Sequence, residues 1–198
     1  MTVFPIALKL ARTPCLVVGG GDEAELRAQN LLRAGALVTV VTPSPSAALL
    51  ALEGEGRITL KRRPFEAGDL DEPLLIVLAD LDAELAAQIG ALARARRRLF
   101  CAVDQPADNT YLHMSTTWAG SLGVAITTGG AAPGLARKLR EEVERVFAAA
   151  GLGRFVERLA ERRRRTPPER RRAEMSRLVA GVRLTGALEL PGVEDDQD

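Results

Sequence analysis

The sequence is poor in the residues that most often form metal sites and disulfides. It has one histidine and two cysteines among 198 residues. Cys15 and Cys101 each lie in a short apolar run that predicts a buried strand. Two distant thiols and one imidazole do not make a dense set of metal ligands. We therefore expect no metal centre and no disulfide, and we interpret both cysteines as small core residues.

Long apolar runs and a large net charge are also missing. No hydrophobic stretch approaches the ~20 residues that a bilayer-spanning helix needs, and the first residues show no secretory leader pattern. The 27 Lys and Arg residues nearly balance 26 Asp and Glu residues, which does not favour a nucleic-acid-binding protein. With 46% hydrophobic residues the chain can bury a core. We expect a cytoplasmic protein without membrane or nucleic-acid partners.

A strand, a glycine turn and a helix follow one another near the start of the chain. The apolar run Cys15-Leu16-Val17-Val18 leads into three glycines, and a helical pattern with Gly35 as its stop comes next. This context gives meaning to the G-x-G-x-x-G/A spacing, which favours a dinucleotide pyrophosphate held against main-chain N–H groups. The alternative is an ordinary βα turn built from small residues. The candidate cofactor-binding residues here are Gly19, Gly20, Gly21, Asp22, Glu23 and Ala24.

Strand and helix patterns alternate through the first hundred residues. Apolar strands are predicted at 37–42, 57–60, 74–79 and 99–103, with helices between them. This alternation indicates an α/β fold with a Rossmann-like, doubly wound parallel sheet. Ligands of such sheets bind beyond the carboxyl ends of the strands. We therefore expect one edge to gather the glycine turn, the Thr42-Pro43-Ser44 turn, Ala79 with Asp80, and Asp104. The Thr42 turn has no carboxylate for a ribose hydroxyl, so the pattern does not choose between NAD and NADP.

The alternation stops after Asp104. Two short strands are predicted at 111–116 and 123–127, then a helix from Leu135 to about Ala150, then basic helical segments interrupted by Pro167 and Pro168. The chain closes on an acidic tail at 194–198. We predict a dinucleotide-binding domain at 1–111, a small α+β segment at 112–150, and an Arg-rich helical segment with the acidic tail at 151–198.

Two side chains are candidates for proton transfer. Asp104 follows a predicted parallel strand, where a carboxylate beside a nicotinamide can accept a proton while hydride leaves the same substrate. Its alternative role is to cap the turn that Gln105 and Pro106 begin. His113 has the right pKa range for proton transfer or substrate binding, but a lone strand histidine is more often a packed or surface residue.

Two further features are polar or charged. The Thr127-Thr128-Gly129-Gly130 turn precedes a helix, so it either binds an anion through hydroxyl and N–H groups or simply caps that helix. The arginine runs 162–165 and 170–172 either bind a polyanion or form a solvated face that is paired with interleaved glutamates. We favour the paired face for most of these arginines.

Several blocks of this sequence together resemble the dehydrogenase/ferrochelatase module at the N-terminus of siroheme synthases. The blocks are Val18-Gly19-Gly20-Gly21-x-x-Ala24, Leu31-Leu32-x-x-Gly35-Ala36-x-Val38-Thr39-Val40, Arg63-Pro64-Phe65, the 100–104 strand, and Thr128-Gly129-Gly130-x-x-Pro133-x-Leu135-Ala136-Arg137-x-Leu139-Arg140. The resemblance covers about residues 3–147 and, more loosely, the basic tail. No methyltransferase domain is recognisable, so the chain resembles the stand-alone form of the module.

The resemblance implies an enzyme that oxidises precorrin-2 to sirohydrochlorin with NAD and, in some members, inserts Fe²⁺ to give siroheme. The family's essential aspartate matches Asp104, and its nucleotide-binding positions match 19–23 and 42–44. Its turn near the tetrapyrrole matches Thr128, Gly129 and Gly130. Members are homodimers that exchange contacts through a segment corresponding to about 112–150. Because precorrin-2 carries eight carboxylates, Arg137, Lys138 and the tail arginines are candidates to face it.

The chain departs from the family pattern on the presumed substrate side. Cys101-Ala102-Val103 replaces an Asn-Val-Val run, Tyr111 to Met114 replaces a Phe-x-x-Pro segment, and Trp118-Ala119 replaces an Asp-Arg pair. These changes leave two alternatives open. One is a catalytically inactive module that binds a nucleotide or a tetrapyrrole and regulates, and the other is a chelatase without redox chemistry.

Overall fold

The first part of the chain folds around a five-stranded parallel sheet. We describe residues 3–186 and 188 of a computed structural model. The strands lie in the order β3-β2-β1-β4-β5. They are β1 (Pro14–Val18), β2 (Leu37–Val41), β3 (Ile58–Lys61), β4 (Leu75–Leu78) and β5 (Leu99–Ala102). In the register, Val17 of β1 lies between Val40 and Val77. The Rossmann-like α/β fold predicted from the alternation is confirmed.

The first three helices cover the two faces of this sheet. The helices over the described residues are α1 (Asp22–Arg33), α2 (Ala47–Gly54), α3 (Ala83–Ala95), α4 (Pro133–Ala149), α5 (Leu152–Arg165) and α6 (Pro168–Val179). Alternate residues of a strand point to opposite faces. Val17 therefore packs in one buried cluster with Ala28 of α1 and Leu49 of α2. Leu16 packs in the other cluster with Ile89 of α3. The continuous apolar runs of β1 and β4 result from burial on both faces.

The outer edge of β5 is closed by the chain segment that follows it. The Phe100 N–H donates to the Thr110 hydroxyl at 2.8 Å, and the Ala102 N–H donates to Asn109 Oδ1 at 2.7 Å. Asn109 Nδ2 donates back to the Ala102 carbonyl at 3.1 Å. These side chains satisfy strand groups that would otherwise lack a neighbour. The segment after Asp104 is thereby fixed against the sheet.

A two-stranded sheet and three helices follow. The sheet pairs β6 (Ser115–Ala119) with β7 (Leu122–Ile126) through a turn at Gly120, which has φ +60. The helical segments predicted around Pro167 are α5 and α6, and Pro168 is the first residue of α6. None of the described helices is long and apolar enough to cross a membrane.

Two arginines of the predicted runs, Arg162 and Arg165, form ion pairs with glutamates, and for the other arginines of these runs the paired face stays a prediction. Arg162 contacts Glu174 at 2.8 Å, Arg165 contacts Glu161, and Arg177 contacts Glu174 at 3.1 Å. Glu174 therefore joins α5 to α6. Its pKa is lowered, chiefly by the hydrogen bond that Arg162 donates.

The described residues form two compact units. One comprises residues 3–115 and 126–137, and the other comprises 116–125, 138–186 and 188. The predicted three-part division at 1–111, 112–150 and 151–198 stays a prediction. The acidic tail predicted at 194–198 lies outside the described residues.

One strand prediction was wrong in its bounds. A strand was expected at 111–116, but β6 begins only at Ser115, and His113 lies in an irregular segment before it. The reason is that the Tyr111 N–H hydrogen-bonds back to the Phe100 carbonyl, which holds this stretch beside β5. Apolar alternation alone does not reveal that competing partner.

Candidate functional site

The carboxyl ends of β1, β2, β4 and β5 place the predicted turns at one edge of the sheet. Gly19 has φ +132, and a Cβ there would lie 2.8 Å from the Ala79 carbonyl oxygen. A Cβ at Gly20 would overlap the Ser44 carbonyl and lie 2.5 Å from Thr42 Oγ1. The first two glycines are therefore required by close packing of three neighbouring turns. The predicted convergence of these turns is observed.

Gly21 differs from its two neighbours because its surroundings are open. A Cβ at this position would meet no atom within 4 Å. Gly21 is also the N-cap of α1 and offers no side-chain hydrogen bond, so no cap serves the first N–H groups of the helix. Open space in front of uncapped N–H groups fits the pyrophosphate of a dinucleotide. Asp22 and Glu23 lie in the first turn, while Ala24 is buried against the sheet.

The turn after β2 is held by its own polar groups. Thr42 is buried, and its hydroxyl accepts a hydrogen bond from the Ser44 N–H at 3.2 Å. Pro43 and Ser44 are exposed at the sheet edge. The Ser46 N–H donates to the Gly20 carbonyl at 2.9 Å, which ties this turn to the glycine turn.

Beside this edge lies a cavity of about 470 Å³. Asp104 lines it from an exposed position with φ +58, a left-handed backbone that few side chains other than Asp and Asn tolerate. The turn is anchored on both sides of Asp104. The Val103 N–H donates to the Leu78 carbonyl, and Gln105 Nε2 donates to the Asp80 carbonyl, each at 3.0 Å. The backbone thereby presents the carboxylate beyond the end of β5.

His113 lines the same cavity and contacts Tyr111. Its Nε2 lies 3.3 Å from the Tyr111 hydroxyl, and the two rings meet edge to face with centroids 5.1 Å apart. Burial among protein atoms, followed by the positive charge of Arg27, lowers the pKa of His113 to about 4. His113 is exposed to solvent at the cavity, and both causes act in the same direction. The imidazole is therefore neutral near pH 7.

Asn109 and Arg27 are two of the cavity residues that were not predicted as site residues. The Asn109 side chain hydrogen-bonds to both the N–H and the carbonyl of Ala102. Its Nδ2 also donates to Cys101 Sγ at 3.5 Å. Arg27 projects from α1, one turn after Glu23, and its Nε donates to Glu23 Oε1 at 2.6 Å. The i, i+4 spacing of Glu23 and Arg27 was a readable signal for their pairing. No local pattern marks Asn109, since its partners lie in β5.

Cys101 has a protonated thiol at neutral pH. Burial raises the pKa of Cys101 to about 11, against a smaller lowering by the hydrogen bond from the His113 backbone. Burial likewise raises the pKa of Cys15 to about 11. Both cysteines are free and buried, so the interpretation of the two thiols as core residues is confirmed.

The Thr127–Gly130 turn contributes the opposite wall of the cavity. The Gly129 N–H donates to Thr127 Oγ1 at 3.1 Å, and the Ala132 N–H donates to Thr128 Oγ1 at 3.0 Å. The two hydroxyls thus cap the turn and still retain O–H donors. Thr127, Thr128 and Gly130 line the cavity, whereas Gly129 is not among the lining residues described.

The structure thus separates the predicted site residues into two adjoining groups. Asp104, His113, Thr128 and Gly130 surround the cavity. Gly19 to Ala24, Thr42 to Ser44 and Ala79 form the turns at the sheet edge. Gln105, bonded to Asp80, joins the two groups. Over the described ranges, no three His, Cys, Asp or Glu side chains are grouped to hold a metal ion.

Comparisons with known proteins match both parts of the chain. Residues 6–113 match a family described as "putative NAD(P)-binding", and residues 120–145 match the sirohaem biosynthesis protein central family. A siroheme synthase of Methylobacillus flagellatus is 40% identical over 149 residues, covering 75% of this chain and 32% of the relative. One of Thioalkalivibrio sulfidiphilus is 36% identical over 185 residues, covering 91% and 38%. The chain therefore spans about a third of these relatives' length.

A solved structure shares the fold. SirC, described as a precorrin-2 dehydrogenase, superposes with a TM-score of 0.77 over 89% of each chain at 24% identity. This likeness extends to the order of elements, in which a Rossmann-like sheet precedes the small sheet and the last helices. The two matched family segments, at 6–113 and 120–145, identify the chain as a member of the siroheme synthase N-terminal module family.

Proposed function

We propose that this protein catalyses the NAD-dependent oxidation of precorrin-2 to sirohydrochlorin, a step of siroheme biosynthesis. The observation that carries the proposal is the position of Asp104, which lines a cavity of about 470 Å³ beside an open, uncapped glycine turn. Membership in a family shared with siroheme synthases supports the substrate class. We also propose that the enzyme is cytoplasmic, on the strength of this biosynthetic role.

The oxidation removes two hydrogens from the tetrapyrrole, one as hydride and one as a proton. A bound nicotinamide supplies the hydride acceptor. Asp104 accepts the proton, since its carboxylate stands over the cavity on an anchored backbone. Neutral His113 donates or accepts a hydrogen bond without adding charge, and the hydroxyls of Thr127 and Thr128 bind substrate carboxylates.

The same geometry supports the cofactor assignment. We propose that the pyrophosphate lies against Gly21 and the first N–H groups of α1, where no side chain intrudes. The ribose lies toward the Thr42-Pro43-Ser44 turn, which has neither a carboxylate nor a cation of its own. We propose NAD rather than NADP on the strength of the family resemblance, and parallel titrations with both nucleotides test the choice.

Anaerobic incubation of the protein with precorrin-2 and NAD tests the proposed reaction. We expect sirohydrochlorin and NADH to form in equal amounts, because each molecule of precorrin-2 that is oxidised transfers one hydride to one molecule of NAD. Binding of either ligand without turnover would instead indicate an inactive regulatory module. Addition of Fe²⁺ after the oxidation then tests iron insertion. A protein that converts sirohydrochlorin to siroheme but does not oxidise precorrin-2 would be a chelatase only.

We also propose a homodimer formed through the 112–150 segment. Trp118 of β6 is 68% exposed although its ring packs on Gly123 of β7. A two-stranded sheet is only marginally stable alone, so a partner for this surface is expected. Sedimentation should give twice the 21.2 kDa chain mass, and Trp118→Glu should shift the protein to a monomer.

A further inference from the structure

Arg27 contributes a cationic side chain to the wall of the cavity. Among the described lining residues it is the only lysine or arginine, and its side chain is only 20% exposed. The other titratable wall residues are Asp104, Cys101 and His113. Burial keeps the thiol protonated and the imidazole neutral near pH 7. Among the described residues that line this cavity, Arg27 is therefore the one side chain with a positive charge near pH 7.

Glu23 holds this guanidinium in place without using all of its donors. Arg27 Nε donates to Glu23 Oε1 at 2.6 Å, and Nη2 contacts the same oxygen. A guanidinium has five N–H donors in a planar fork, so one carboxylate oxygen leaves donors for a second anion. Arg27 and His113 line the same cavity, and the charge of Arg27 lowers the pKa of His113.

We propose that Arg27 binds a carboxylate of the substrate and so selects polycarboxylate tetrapyrroles, with Glu23 as the positioning residue that orients it. The inference rests on the proposed function for the substrate class. A substrate with many carboxylates must approach the acidic side chain of Asp104, and without a cation the cavity would repel it. A charge-assisted hydrogen bond in a half-buried site offsets that repulsion. The arrangement also gives α1 two roles, with its first turn at the cofactor and its second turn at the substrate.

The test compares Arg27→Gln with Arg33→Gln, a matched change on the same helix. Arg33 lies in the last turn of α1, is exposed, and contacts only Asn30 at 3.3 Å in the described residues. Binding of uroporphyrin, an octacarboxylate tetrapyrrole, is measured by fluorescence, and binding of NAD is measured alongside. We expect Arg27→Gln to weaken uroporphyrin binding about 10- to 100-fold and to leave NAD affinity unchanged. Arg33→Gln should match the wild type in both.

Further variants and ligands separate the possible outcomes. Arg27→Lys should restore part of the affinity because the charge remains while the fork is lost. Glu23→Gln should weaken uroporphyrin binding less than Arg27→Gln does. Coproporphyrin has fewer carboxylates than uroporphyrin. The Arg27→Gln substitution should therefore weaken the binding of coproporphyrin less than it weakens the binding of uroporphyrin. Unchanged uroporphyrin binding in that variant would overturn the proposal, as would a loss confined to NAD. Uroporphyrin binding does not require turnover. A wild-type protein that binds uroporphyrin but does not oxidise precorrin-2 would therefore contradict the proposed function and leave the proposed role of Arg27 standing.

Discussion

At the residue scale, the cavity depends on side chains whose properties come from distant neighbours. The pKa of His113 is lowered because desolvation by neighbouring protein atoms and the positive charge of Arg27 of α1 both oppose protonation, although the residue is exposed at the cavity. Its orientation follows from Tyr111, whose hydroxyl lies 3.3 Å from Nε2. Neither influence can be derived from the local sequence, which gives only a histidine between two apolar residues. The sequence did predict Asp104 as the acidic residue after β5, because the end of a parallel strand is a recurrent ligand position.

His113 offers a direct readout of this environment, since it is the only histidine of the chain. We expect its ring to stay neutral from about pH 8 down to about pH 5, with a pKa near 4. The burial and the charge of Arg27 both oppose protonation. Proton NMR of the imidazole Hε1 resonance measures this pKa.

The Arg27→Gln variant provides the control for that titration. Loss of the nearby positive charge should raise the pKa of His113 while the burial contribution remains. A wild-type pKa at or above 6.5 would contradict the proposed environment of the ring.

At the scale of elements, the glycine turn shows two different reasons for a glycine. Gly20 packs against the turn after β2, whereas Gly21 faces open space at the start of α1. The G-x-G-x-x-A pattern predicted the turn and its helix but did not separate these two roles. The two glycines differ because Thr42 and Ser44 lie beside Gly20 and not beside Gly21. The pairing of β1 with β2 determines where these two residues lie.

Gly20→Ala and Gly21→Ala therefore form a matched pair. We expect Gly20→Ala to destabilise the protein by about 1–3 kcal/mol, because its Cβ would overlap the Ser44 carbonyl. Gly21→Ala should leave stability nearly unchanged and weaken NAD binding at least tenfold, because its Cβ would stand where the pyrophosphate approaches. Thermal unfolding and NAD titration of both variants measure these effects. Equal NAD affinity of Gly21→Ala and the wild type would contradict the proposed cofactor position.

A second element-scale feature is the ion cluster that joins the end of β3 to the 3-10 turn at Ala67–Leu70. The Asp69 carboxylate is 1% exposed and accepts hydrogen bonds from Lys61 at 2.8 Å and from Arg63 at 2.7 and 2.8 Å. The Glu66 N–H also donates to it, at 3.0 Å. Burial alone would raise the pKa of Asp69, but the hydrogen bonds from Arg63, Lys61 and Glu66 outweigh it and hold the pKa well below the usual range.

Asp69→Asn should lower the free energy of unfolding by about 2–3 kcal/mol at pH 7. The loss stays below that of a fully buried pair because Lys61 and Arg63 are 42% and 33% exposed. Since the folded pKa of Asp69 is depressed, its contribution is complete above the unfolded value near 4. It declines as the pH falls below that value toward the folded pKa.

Urea unfolding from pH 7 to pH 3 measures this dependence. The stability difference between wild type and Asp69→Asn should shrink toward the acidic end. The exposed Glu55 pairs only with Arg57 in the described residues, so Glu55→Gln serves as a control with little change. A difference that grows as the pH falls would contradict the assignment.

At the scale of the whole molecule, the sequence predicted the α/β order well and the later segment less well. Continuous apolar strands and glycine stops mark the parallel sheet, because both faces of β1 and β4 are buried. The segment from Asp104 to Ser115 was harder, since its structure depends on side chains that hydrogen-bond to β5. The cavity is lined by Arg27 of α1 and by residues of the segment after β5, such as Asn109. The local sequence therefore did not identify these two residues as cavity residues.

The central claim is that Asp104 accepts the proton of the oxidation while the glycine turn binds the cofactor independently. The most direct measurement is the anaerobic rate of sirohydrochlorin formation by Asp104→Asn, with NAD affinity measured on the same protein. Asparagine tolerates the left-handed backbone at φ +58, so the turn should stay intact. We expect the rate to fall about 10²- to 10⁴-fold with NAD affinity and thermal stability close to wild type. An oxidation rate equal to that of the wild type would contradict the account by removing Asp104 from the chemistry.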